Sequence, residues 1–195
     1  GNSTYKPGES ALRFYTDFAN PKSNAYTWND KMPNSFDAFT SGQTAIIFDY
    51  AVNMPRIKQK APNLRLGVAS VPQLTEATKV VNYADFWGYS VPLASKNPEA
   101  AWNFLVFVTG RNAAAAYLQS SYLPPARRDL VDFTASDAAL NVFAKQALTA
   151  TNWAQPDEVE VKKIFERMIT AAGLGQASAA EAVKEAAVEV TNLLK

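Results

Sequence analysis

"WGYSVPLASKNPEAAWNFLVFVTG", residues 87–110, joins two patterns in one run. Its first part closes "YADFWGYSVPL" (83–93), apolar and aromatic with Gly88 in the middle, which predicts a strand. "KNPEAAWNFLVFVTG" predicts a helix with well-marked ends. Asn97 suits the cap, Pro98 the first helical position, Glu99 the positive end of the dipole and Gly110 the stop. Trp102 lies mid-helix at apolar spacing with Leu105 and Val106, which assigns it to the core.

Working outward, strand-like and helical patterns alternate early and helices dominate late. "ESALRFYTDFANP" reads as a helix capped by Ser10, with Leu12, Tyr15, Phe18 and Ala19 at helical spacing. "KSNAYTWNDKMPNS" is a polar loop that carries Tyr26 and Trp28. Ser35 opens a short helix closed by Gly42. "TAIIFDY" (44–50) and "LRLGVASVP" (64–72) read as strands, with a short helix broken by Pro55 between them. Residues 73–82 are polar and predict an exposed hairpin or loop. After residue 110 the helices are "RNAAAAYLQSS", "SDAALNVFAKQAL", "PDEVEVKKIFERMITAAG" and "SAAEAVKEAAVEVTNLLK", the last with a capping box of Ser178 and Glu181. Helices between strands favour layered packing over a bundle, so the class is α/β and helix-rich, with a short sheet early.

Composition excludes whole classes of chemistry. The 195 residues are 48% hydrophobic, enough for one sizeable core or two small ones. Lys+Arg number 19 against Asp+Glu 18, and no basic stripe interleaves with aromatics, which sets nucleic acid aside. With no His and no Cys, the catalytic triads, thiol nucleophiles, zinc sites and iron–sulfur ligation are all removed. No Asp-rich calcium loop is present, and neither a metal nor a cofactor is expected. No apolar run approaches the roughly 18 residues of a membrane span. The opening "GNSTYKPGES" is polar, unlike a signal peptide, and begins without Met, from which we expect a piece of a longer protein.

Several stretches, in order, resemble the extracellular solute-binding proteins of ABC importers, family 1, sugar-binding branch, with a periplasmic-binding-protein type II fold. "FDAFTSGQTAIIFDY" is similar to the family's Phe-x-x-Gly-x-x-Ala-Met stretch through Phe39, Gly42 and Ala45, with Ile46 where Met is usual. "NLRLGVASVPQ" resembles the strand that runs into a Pro before the hinge. The opening stretch fits the family's Gly-strand-Ser-Lys-x-Pro-x-Ala-Trp-x-Phe-Leu run at Gly88, Ser95, Lys96, Pro98, Ala101, Trp102, Phe104 and Leu105. "YLPPARRDL" and the closing helix pair complete the series.

The resemblance implies a chain of 1–195 that forms a single domain like the C-terminal half of a two-lobe receptor. Residues 83–110 would then be the hinge-crossing strand and helix, which normally pack with the other lobe. An apolar strand edge without its sheet partners invites exchange of this element in a homodimer. The function implied is capture of a carbohydrate between lobes for delivery to the transmembrane subunits of an ABC permease, outside the cytoplasm and without catalysis.

Sugars present apolar C–H faces and polar rims, so rings, carboxylates and amides are the groups to look for. Asp49 and Tyr50 stand at the exit of "TAIIF", where ligands of open α/β sheets bind. The bland reading is that Asp49 caps the next helix and Tyr50 is a half-buried ring. Trp87, beside Gly88, can lay its ring across an opening or sit in the core. Trp153, with Asn152 as its polar companion, precedes a helix that Pro156 opens, and the resemblance implies stacking on the ligand there. Trp28 is an aromatic that its polar loop does not demand. Arg127 and Arg128 are read first as pinning the turn they follow, with a ligand contact as the lesser alternative, and the Lys and Glu of the last helices as a solvated face. Two rival classes stay open. One is a glycoside hydrolase using Asp49 and Asp85 as its carboxylate pair. The other is a helical interaction module whose aromatics are only core.

Overall fold

The computed structural model describes residues 6–29, 31–75 and 77–195. The first half of the polar opening stretch, Asp30 in the first loop and Glu76 in the second lie outside the described residues.

In chain order the helices are α1 (Pro7–Asp17), α2 (Ser35–Thr40), α3 (Met54–Lys60), α4 (Pro98–Val108), α5 (Arg111–Ser121), α6 (Ala138–Ala147), α7 (Glu158–Gly173) and α8 (Ala179–Asn192). Short 3-10 segments, Ala51–Asn53 and Arg128–Thr134, precede α3 and α6. The sheet is one parallel pair, β1 (Asn82–Tyr83) with β2 (Ala150–Thr151), in the register Asn82 to Ala150 and Tyr83 to Thr151.

The expected early sheet is therefore corrected. Residues 44–50, 64–72 and 84–93 carry strand-like sequence but form no ladder among the described residues. A strand exists only through ladder hydrogen bonds to a neighbour, and these stretches form none among the described residues. Their side chains show the consequence: Ile46 is 76% exposed, Phe48 74% and Trp87 99%.

The helix ends follow local chemistry closely. Pro7 and Pro98 occupy first-turn positions, as their missing N–H allows. Asp157 and Asp137 cap α7 and α6 through the N–H groups of Glu160 and Leu140. The capping box of Ser178 and Glu181 is present in full. Two cap assignments are corrected. Lys6, not Ser10, precedes α1, because Pro7 starts the helix one turn earlier. Pro156 lies before the cap of α7, which is Asp157.

The chain divides into two compact units. Unit 1 joins the residues up to Pro33 with Trp153–Lys195. There α1, α7 and α8 pack on one another. Leu12, Ala179 and Ala182 are buried, flanked by Met168, Ile169, Ala172, Ala177 and Val183. Val161 and Ile164 of α7 are buried in the same unit, and the small residues of α8 let the helices approach closely. Tyr15 and Phe18, which share helical spacing with Leu12, stay at the surface.

Unit 2 is Asn34–Asn152. Met54 and Ile57 of α3 are buried, as are Leu118, Leu130, Leu140 and Ala144. The described residues of 73–81 form an exposed loop, as expected, while Asn82 at its end is buried in β1; the loop is tied by a side chain acting as a strand. Gln73 accepts from the Val81 N–H and donates to the carbonyls of Val71 and Val81. In contrast α4 has no buried residue. The expectation that Trp102 is core is corrected: it is 53% exposed, since α5 alone packs appreciably against this helix.

Candidate functional site

Asp49 and Tyr50 sit where extended chain turns into the 3-10 segment Ala51–Asn53. Asp49 Oδ1 accepts from the Tyr50 N–H at 2.7 Å and from Asn53 Nδ2 at 2.6 Å. Asn53 Oδ1 in turn accepts from Arg56 Nη1 at 3.0 Å. The Arg56 guanidinium lies 4.9 Å from the centroid of the Phe36 ring, and Lys60 covers the same ring at 5.4 Å. Lys60 also pairs with Asp37 at 2.5 Å. One oxygen of Asp49 is thus held by a relay that runs along α3 to α2. The other oxygen, Oδ2, takes no hydrogen bond from a described residue.

The local-turn role of Asp49 is real, and it leaves half of the carboxylate for other work. Tyr50 is 49% exposed. Partial burial pushes its phenol above the ordinary value, and the electrostatic influence of Tyr83, Asp85 and Asp49 pushes the same way. Two carboxylates and two phenols therefore share one neighbourhood in unit 2. Such a set offers hydroxyl acceptors and ring faces.

Trp87 belongs to the same unit and is almost wholly exposed, with open space around the neighbouring Gly88. Asn152 closes unit 2 just after β2. In unit 1, Trp153 stacks on Phe165 of α7, with 6.4 Å between ring centroids and 21° between planes, and is 43% exposed. Trp28 is half-buried in its loop, and its backbone N–H and that of Thr27 both donate to the Phe18 carbonyl. A cleft in unit 1 between the end of α1 and the α7–α8 turn is lined by Phe14, Asp17, Lys22, Leu174 and Ser178, and by neither tryptophan.

Arg127 pins its turn as read: it grips Asp129 with two hydrogen bonds, at 2.9 and 3.1 Å, and donates to the Thr109 carbonyl. Sequence reasoning missed Asn53, although its spacing of four from Asp49 marks it as a partner. It also missed Tyr122, which ends α5 in the left-handed region at φ 54°. Tyr122 donates to Asp137 at 2.5 Å and accepts from Lys58 at 3.1 Å, joining α3, α5 and α6. Glycine is the usual residue in such a place, and nothing in "SSYLPP" announces a tyrosine there.

Among the described residues no group of three or more His, Cys, Asp or Glu side chains could hold a metal ion. Among the described residues no helix is long and apolar enough to cross a membrane. No curated protein matches the chain significantly. A family model described as bacterial extracellular solute-binding protein matches residues 2–150, which takes in α1 to α6, β1 and the Asp49 neighbourhood. The chain belongs to the bacterial extracellular solute-binding proteins.

Proposed function

We propose that this chain captures a carbohydrate, a mono- or oligosaccharide, and hands it unchanged to the transmembrane subunits of an ABC permease. Its family works outside the cytoplasm, and solute binding is what the family does. The carbohydrate is the further step, and one observation carries it. Asp49 is fixed through one oxygen and takes no hydrogen bond from a described residue at the other, beside the half-open ring of Tyr50. A fixed carboxylate loses little entropy on accepting a sugar hydroxyl, and the ring covers the C–H face. In unit 2, Trp87 and Asn152 add a ring and an amide. In unit 1, taken by itself, Trp28 and Trp153 offer two rings to a sugar, the latter stacked on Phe165.

Intrinsic tryptophan fluorescence, titrated with neutral oligosaccharides, tests this reading. Saturable change with a subset of sugars supports it. Saturable change only with charged non-sugar solutes would keep the family role and overturn the carbohydrate. Chromatography of the same mixtures separates binding from turnover: intact oligosaccharide is expected, and released shorter products would restore the hydrolase reading built on Asp49 and Asp85.

A further inference from the structure

We draw no further inference here: the strongest candidate, the exposed apolar surface that residues 86–93 and α4 present in unit 2, carries nothing because nothing in the structure shows what covers it.

Discussion

Two helices of almost equal local quality end up in opposite situations. In unit 1, α8 starts with a complete capping box and buries Ala179, Ala182 and Ala186 against its neighbours. In unit 2, α4 starts with Pro98 and an acidic first turn, and its sequence is far more apolar, yet it buries nothing. Trp102, Phe104, Val106 and Phe107 are each more than half exposed. Caps and periodicity are satisfied within a few residues, so they make a helix anywhere. Burial needs a second surface, and apolarity on every side of α4 states a demand that its own unit does not meet. The same contrast separates the Leu12 core from residues 84–93, which are aromatic, exposed and form no ladder among the described residues.

The largest effect concerns mass. The exchange of residues 83–110 expected from the sequence gives twice the chain mass in light scattering. A single-chain mass at every concentration would end that expectation. Dye binding sharpens it, because an uncovered 86–107 surface predicts strong anilinonaphthalene fluorescence at neutral pH.

Next comes stability. Leu12→Ala truncates the leucine buried with Ala179 and Ala182 in unit 1 and should cost about 2–3 kcal/mol in urea denaturation. Trp102→Ala should change stability by no more than about 0.5 kcal/mol, because so much of the ring faces water already. Equal costs would mean that α4 is covered in solution, and the comparison would fail.

Legibility follows the same division. The helices were readable because Pro98 and Ser178 act within one turn, whereas Ser10 and Pro156 drew the starts of α1 and α7 away from Pro7 and Asp157. The strands were not, because Ile46, Phe48 and Tyr89 signal β character without naming a partner, and a ladder needs one. Half of the candidate site was readable: Asp49 and Tyr50 stand out at the end of an apolar run, and Asn53 follows at the spacing of one turn. Tyr83 and Asp85 come to Tyr50 across more than thirty residues of chain, and no local pattern encodes that meeting. Tyr122 is hidden for the same reason, since its left-handed backbone is fixed by contacts with Lys58 and Asp137.

A smaller effect separates the two helix starts. Ser178→Ala breaks the capping box and should cost about 1 kcal/mol. Asn97→Ala should cost only a few tenths by the same measure, since the Asn97 side chain makes no cap bond. Parity between the two would show that α4 is capped differently in solution.

The smallest effect is a pH dependence within unit 2. The Leu140 N–H and the Tyr122 hydroxyl hold Asp137 below the usual carboxylate value. A lowered native value stabilises above the unfolded value of about 3.9, and that stability drains as pH falls through the native one. Asp137→Asn should therefore make the acid-side fall in urea midpoint shallower. An unchanged slope would mean that the network contributes nothing.

The most direct test of solute capture is calorimetric titration of the folded chain and its Asp49→Asn variant with one panel of neutral oligosaccharides. Asn keeps an oxygen for the Tyr50 N–H and for Asn53, so the turn survives while the charge is lost. The account predicts saturable heat with at least one sugar and affinity lower by about tenfold or more in the variant, the size of a hydrogen bond to a charged group. Equal affinity in both proteins, or no saturable heat from any sugar with the native chain demonstrably folded, would contradict it.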